Sequence, residues 1–232
     1  MNVLNKKRAF AGRAALAGVV LAGTLVMQGC SSLGQCKIPA VNKVQKQQLV
    51  QITQAQSAEH KVRHSARNPV ETLAFFGVKP GDTVVEVLPG GGWYSQVLVP
   101  YLGEHGQLIG VDYALDMWPH FSFATPQYIE SRKQWPANWQ NDAKGWGPGG
   151  AKARAYSLTT LPAELEGTVD KVLFIRAMHH LARLEDKGGY LTQALAETHR
   201  ILKPNGLVGI VQHAMAEDKP DSWAKGDRGY LK

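Results

Sequence analysis

From about residue 68 to residue 213 the hydrophobic pattern switches repeatedly between strand-like and helix-like stretches. Thr83–Leu88 is an apolar, β-branched run typical of a strand buried on both faces of a parallel sheet. Alternation of strands with helices predicts an α/β fold with a parallel sheet flanked by helices. The other predicted strands are Gln107–Asp112, Ala153–Ser157, Lys171–Arg176 and Leu207–His213, and helices are predicted at Tyr94–Leu102 and Tyr190–Leu202.

Local signals mark where two helices begin and end. Asn68, Pro69 and Glu71 predict a helix start, with a capping residue, a first-turn proline and an early acid. Gly77 ends that helix. The run Pro204-Asn205-Gly206 stops the last helix before the final strand.

The N-terminus has the three parts of a secretory signal: basic residues, an apolar run over Ala14–Met27, and Gly29-Cys30. The run is about 14 residues, whereas a membrane-spanning helix needs roughly 20. The residues around Cys30 resemble the lipobox of bacterial lipoproteins, which implies lipidation of Cys30 and a lipid-anchored protein on the periplasmic face of a membrane. The alternative is ordinary cleavage, with Cys30 and Cys36 free to pair.

The formal charge of +7 comes largely from the N-terminus, where residues 1–29 hold four basic residues and no acid. The remaining residues hold 22 Lys and Arg against 19 Asp and Glu. Because basic and acidic residues are nearly balanced, there is no electrostatic case for a nucleic-acid partner. Two cysteines leave no cysteine cluster for structural zinc, and the histidines lack metal-ligand spacing, so no metal site is predicted.

A glycine-rich turn follows the first predicted strand. Glu86 lies in that strand, and Gly90, Gly91 and Gly92 come directly after it. Open α/β sheets bind ligands at the carboxyl ends of their strands, where glycines let the backbone approach a ligand closely. Asp112 ends the second strand, and its carboxylate can accept hydrogen bonds from ribose hydroxyls.

A dinucleotide-binding site also combines a glycine-rich turn with an acidic residue. In this sequence, however, the third position of the dinucleotide fingerprint is Ser95 rather than Gly or Ala, which disfavours a nicotinamide-dependent oxidoreductase.

This turn resembles the first motif of the class I S-adenosylmethionine (SAM) dependent methyltransferases, an acid followed by glycines at alternate positions. Glu86, Gly90 and Gly92 match, whereas Leu88 stands where that family usually has glycine, and Pro89 stiffens the loop. The resemblance continues through Asp112, Asp170–Leu181 and Leu202–Gly206. More narrowly, Arg67–Pro69, Thr72–Val78 and Pro89–Tyr94 resemble a family of exported predicted methyltransferases of proteobacteria.

The resemblance implies a Rossmann-like fold, SAM as cofactor, and a cofactor site formed by Glu86, Gly90, Gly91, Gly92 and Asp112. It also implies a helix and an antiparallel hairpin after the fifth strand, yet only 19 residues follow His213. We therefore expect the hairpin to be missing and the sheet edge to be exposed, which invites self-association.

His179 and His180 follow the fourth predicted strand, in what the sequence predicts to be a loop at the ligand end of the sheet. Either imidazole could take a proton from an attacking hydroxyl or amine. The alternative is a loop histidine that binds backbone groups. Adjacent loop residues rarely face the same way, so at most one of the two is expected to be catalytic.

The segment between the second and third strands holds four tryptophans, and two interpretations of it stay open. It could form a lid or ligand-facing wall, or it could pack its aromatic rings onto the core. The tryptophans are Trp118, Trp135, Trp139 and Trp146.

The sequence thus predicts a signal peptide over residues 1–29, a tether and N-terminal helix over 30–66, a Rossmann-like methyltransferase domain over 67–216, and a tail over 217–232. The first functional hypothesis is methyl transfer from SAM to an unidentified small-molecule or envelope acceptor. The second is a non-catalytic envelope lipoprotein that keeps the fold as a binding module, because fold alone does not determine function.

Overall fold

A computed structural model of the protein describes residues 40–220 and residue 222. The predicted signal segment, Cys30, Cys36 and the end of the tail lie outside these residues. The described part contains a five-stranded, all-parallel sheet in the order β3-β2-β1-β4-β5. This confirms the predicted fold class. The strands are β1 Thr83–Val87, β2 Gln107–Asp112, β3 Lys152–Ser157, β4 Val169–Ile175 and β5 Leu202–Val211.

Helices cover both faces of the sheet, as parallel strands joined by crossovers require. The helix predicted after Asn68 begins at Pro69 as expected, although the Asn68 side chain makes no capping hydrogen bond. The α-helices are α1 Lys43–Ala55, α2 Ala58–Lys61, α3 His64–Arg67, α4 Pro69–Phe75, α5 Ser95–Leu102, α6 Pro126–Arg132, α7 Trp135–Ala143, α8 Met178–Arg183, α9 Glu185–Gly188 and α10 Tyr190–Ile201. Two 3-10 helices lie at Leu115–His120 and Ala163–Leu165.

Successive residues of β1 enter two different cores because strand side chains alternate between the faces of a sheet. Val84 packs with Leu98 of α5 and Leu49 of α1 in one core. Val85 packs in the other core with Ile201 of α10. Burial on both faces explains why the strands read as continuous apolar runs in the sequence.

The N-terminal helices belong to the same packed structure as the sheet. Helix α1 starts with a capping box between Asn42 and Gln45, and its Leu49 is fully buried. Two hydrogen bonds join the following short helices to the glycine loop. Trp93 Nε1 donates to the carbonyl of His60 (3.3 Å), and the hydroxyl of Tyr94 donates to the carbonyl of Arg67 (2.5 Å).

The tryptophan-rich segment folds onto the core rather than standing free. Trp135 and Trp139 are buried in the core on the α5 side, and Trp118 is buried in the other core. Trp146 is partly buried and contacts the glycine loop. The core-packing interpretation therefore holds for the three buried rings.

The last strand begins earlier than the sequence predicted. Leu202 already pairs with Val169, and the register then shifts before Leu207 pairs with Lys171. Pro204 lies in this irregular stretch, consistent with the rule that proline occupies bulges because it cannot donate a ladder hydrogen bond. In the described residues no strand follows β5, so its outer edge has no strand partner there.

The described helices are all too short or too polar to cross a lipid bilayer.

Candidate functional site

The turn after β1 holds three residues in the left-handed backbone region: Leu88 (φ 54°), Gly90 (φ 58°) and Gly92 (φ 73°). Leu88 occupies the position where the methyltransferase motif that this turn resembles usually has glycine. Its backbone adopts the left-handed conformation that glycine favours. A side chain in this conformation costs about 1–2 kcal/mol. The Leu88 N–H donates to the carbonyl of Val111 (2.7 Å), which ties the turn to the end of β2.

The glycines of this loop fall into two groups. A Cβ added at Gly90 or Gly91 would meet nothing within 4 Å, so the backbone there faces open space. A Cβ at Gly92 would lie 3.0 Å from the ring of Trp146, so Gly92 allows that indole to pack closely. Gly90 and Gly91 are therefore the loop positions that leave room for a ligand.

Glu86 is buried beneath this loop, with 3% of its surface exposed. The hydroxyl of Ser95 donates to its Oε2 at 2.6 Å. Burial raises the pKa of Glu86 to about 7, although the Ser95 hydrogen bond and the positive charge of Arg67 oppose the rise. Near neutral pH the site can therefore hold Glu86 in either protonation state.

A cavity of about 450 Å³ opens at the carboxyl ends of β1 and β4. Glu86, Gly90 and Gly91 lie on its wall, which brings three of the predicted cofactor residues together. The N-terminal helices α2 and α3 supply another part of the wall. The lining also includes Glu59, His60, Arg63, Arg67, Leu88, Pro89, Trp93, Tyr94, Gln96, Ile175, Arg176, His179, His180 and His213.

His179 and His180 both line this cavity, and they lie in helix α8 rather than in the loop that the sequence predicted. Their rings are close, with centroids 3.9 Å apart. The run Met178–Arg183 consists mostly of good helix formers, which explains the helix. The expectation that these two side chains face apart is therefore wrong.

Both imidazoles titrate below the ordinary range. Burial, followed by repulsion from a proton on His179 and from the charge of Arg183, lowers the pKa of His180 to about 4. Burial also lowers the pKa of His179. Each ring is therefore mainly neutral at pH 7, the state in which an imidazole can accept a proton.

Asp112 lies apart from this cavity wall. It is buried at the end of β2, and the guanidinium NH2 group of Arg132 from α6 donates to its Oδ2. Arg132 in turn lies over the rings of Trp118 (4.8 Å) and Trp135 (5.7 Å). Burial raises the pKa of Asp112, and Arg132 opposes that rise. A ribose at Asp112 would have to share this carboxylate with Arg132 or displace it.

Sequence reasoning missed the basic residues of the cavity, namely Arg63, Arg67 and Arg176, together with His60 and His213. His60, Arg63 and Arg67 come from the short helices before β1, whereas Arg176 follows β4 and His213 follows β5. Packing of those helices beside the glycine loop brings the two groups to one cavity. The signal available in the sequence was the position of Arg176, which is the last residue of a predicted strand, at its ligand end. Among the described residues, no group of three His, Cys, Asp or Glu side chains is arranged to hold a metal ion.

Comparison with protein-family models and with curated proteins finds no match to this sequence. Solved structures that resemble the chain include a SAM-dependent methyltransferase from Aquifex aeolicus, 20% identical, with a TM-score of 0.46, over 74% of this chain and 77% of that one. Another is an arsenic(III) S-adenosylmethionine methyltransferase from Chlamydomonas reinhardtii, 17% identical, with a TM-score of 0.39, over 69% of this chain and 47% of that one.

A third is a cyclopropane-fatty-acyl-phospholipid synthase-like protein from Lactobacillus casei, 20% identical, with a TM-score of 0.38, over 65% of this chain and 54% of that one. At these identities and TM-scores, neither the activity nor the cofactor of this chain follows from the likeness.

Proposed function

We propose that this chain is a SAM-dependent methyltransferase that acts on an acceptor in the cell envelope. The observation that carries the proposal is the open glycine loop at the end of β1, set beside buried Glu86 on the wall of one cavity. A parallel α/β sheet binds its ligand at this end of its strands.

The residues present suit such a cofactor. Gly90 and Gly91 leave space for close approach of a ligand to the backbone. Glu86 is a buried carboxylate close to the cavity, and such a group favours the positive charge that SAM carries on its sulfonium and ammonium groups. SAM, when bound, supplies an activated methyl group on a positively charged sulfur.

The protein's own part would be to position the acceptor, exclude water and manage one proton. His179 or His180 would take the proton that an acceptor hydroxyl or amine loses, because both imidazoles line the cavity and are mainly neutral at pH 7. Asp112 would hold the ribose, in competition with Arg132. No covalent intermediate on the enzyme is needed.

The proposal also includes export. The basic start, the apolar run and Gly29-Cys30 support cleavage of a signal segment and lipidation of Cys30. The motifs around Arg67–Pro69 and Pro89–Tyr94 support membership of the exported methyltransferase family that the chain resembles. The acceptor would then be a small molecule or an envelope component.

Calorimetric titration of the full chain with SAM, and separately with NAD, tests this function. We expect saturable binding of SAM with one site and no binding of NAD. Binding of NAD alone would indicate an oxidoreductase, and binding of neither would favour the non-catalytic binding module.

A further inference from the structure

Three arginines line the cavity. Arg63 and Arg67 lie at the two ends of α3, and Arg176 directly follows β4. Within the described part of the chain, none of the three forms an ion pair with a carboxylate. We refer to these three residues as the arginine cluster.

The charge of the cluster is poorly balanced by its surroundings. The pKa of Arg67 is lowered by burial and by the neighbouring positive charges of Arg176 and Arg63. Among residues 40–220, the cavity wall holds two acids, exposed Glu59 and buried Glu86, and Glu86 is partly protonated near pH 7. The cavity therefore carries excess positive charge, and an anion would relieve the repulsion.

Two of the guanidinium groups are held in place by the fold. Arg67 lies over the ring of Trp93, with 4.7 Å between its Cζ and the ring centroid. Arg176 has a left-handed backbone (φ 60°), and its N–H donates to the carbonyl of Val211 at 2.7 Å. Such a conformation in a residue other than glycine persists only where surrounding contacts enforce it.

The Arg176 side chain is oriented by His213, because its Nε donates to Nε2 of that histidine at 3.1 Å. The two terminal nitrogens of Arg176 have no hydrogen-bond partner among the described residues. A planar guanidinium with both terminal nitrogens available binds phosphate or carboxylate through two parallel hydrogen bonds. The arginine cluster thus has the charge of an anion site, and Arg176 has the geometry to bind the anion.

We propose that the arginine cluster binds an anionic group, phosphate or carboxylate, of the methyl acceptor. The assignment to the acceptor rests on the proposed function, whereas binding of the anion does not. The predicted cofactor site runs from the glycine loop towards Asp112 on β2, and Arg176 follows β4 on the opposite side of β1. Arg176 therefore lies on the side of the glycine loop away from Asp112, which leaves that side for the acceptor.

The test is calorimetric titration of the full chain with inorganic phosphate at low ionic strength, with and without saturating SAM. We expect saturable binding that weakens as salt is added, because salt screens charges that are exposed to solvent. Arg176→Gln should weaken phosphate binding about tenfold or more, since it removes charge-assisted hydrogen bonds. Glutamine should be no more strained than arginine in the left-handed backbone conformation of residue 176, so the fold should be kept.

Arg154→Gln is the matched control, because Arg154 is an exposed arginine on β3 away from the cavity. Phosphate binding in this variant should equal that of the unmodified chain. Absence of phosphate binding, or equal binding in the Arg176→Gln and Arg154→Gln variants, would overturn the anion site.

A further arm separates the two possible sources of the anion. If the site takes an acceptor group, phosphate should bind equally with and without SAM. If phosphate competes with SAM but not with decarboxylated SAM, the arginines bind the cofactor's carboxylate, and the assignment to the acceptor is wrong. Failure of SAM to bind at all would remove the proposed function while leaving the phosphate result readable.

Discussion

Buried Glu86 should make the stability of the protein depend on pH in a direction opposite to that of most carboxylates. Its pKa in the folded protein is about 7, against an ordinary 4.5. Between these two values the folded protein holds a proton that the unfolded chain has released. The free energy of unfolding therefore falls as pH rises through this window.

The size of the effect follows from the two pKa values. The whole difference corresponds to about 3 kcal/mol, and most of it falls between pH 5 and pH 8. Glu86→Gln removes the titration. It leaves an amide whose oxygen can still accept the hydrogen bond that Ser95 donates to Glu86. Relative to the unmodified chain, the free energy of unfolding of the variant should thus rise by about 2 to 3 kcal/mol between pH 5 and pH 8.

Urea unfolding of both proteins at pH 5, 6, 7 and 8, followed by tryptophan fluorescence, measures this difference. Burying the amide changes the free energy of unfolding of the variant by the same amount at every pH. That cost therefore cannot produce a pH-dependent difference between the two proteins. Glu164→Gln is the control, because Glu164 is exposed in a 3-10 helix, and its curve should run parallel to that of the unmodified protein. Parallel curves for Glu86→Gln as well would refute the raised pKa.

Four further outcomes are expected. Thermal unfolding should show that Gly90→Ala destabilises the protein by about 1 kcal/mol because φ is positive there, whereas Gly91→Ala changes stability little; equal losses would contradict this. Arg132→Ala should cost about 3 kcal/mol, and more at pH 8 than at pH 5, because Asp112 is left buried without its cation; a neutral effect in urea unfolding would count against the pair. Sedimentation should show self-association through the open edge of β5, where Val208 and Ile210 are 39% and 46% exposed, and Ile210→Lys should reduce it; a monomer at all concentrations would oppose this. The intact mass of the membrane-extracted protein should show lipid on Cys30. An unmodified Cys30 would contradict the predicted lipid anchor.

The hydrophobic pattern was enough to predict the sheet and its main helices. All five strands and the helix at Tyr190–Ile201 lie close to their predicted positions, because parallel strands buried on both faces leave an unmistakable apolar run. The predicted start of β5, Leu207, was wrong by several residues, since the strand begins at Leu202. Pairing of Leu202 with Val169 is a tertiary event that no local pattern encodes.

The candidate site could be predicted only in part. The glycine loop and Glu86 are contiguous, so their motif is visible in the sequence and the structure places them on one cavity wall. The arginine cluster was not predicted because Arg176 meets Arg63 and Arg67 only when α3 packs beside the glycine loop and β4 pairs with β1. The contact between Asp112 and Arg132 was equally hidden, since it depends on how an irregular segment folds. The roles assigned to Asp112 and to the histidines stay predictions.

Binding of SAM against the open glycine loop can be tested by titrating the Gly91→Ala variant and the unmodified chain with SAM. The added methyl group meets no protein atom within 4 Å, so it should leave the fold intact while occupying space that the ligand needs. We expect saturable binding of SAM to the unmodified chain and loss of that binding in a variant that unfolds at the same temperature. Equal affinity in the two proteins, or no affinity in either, would contradict it.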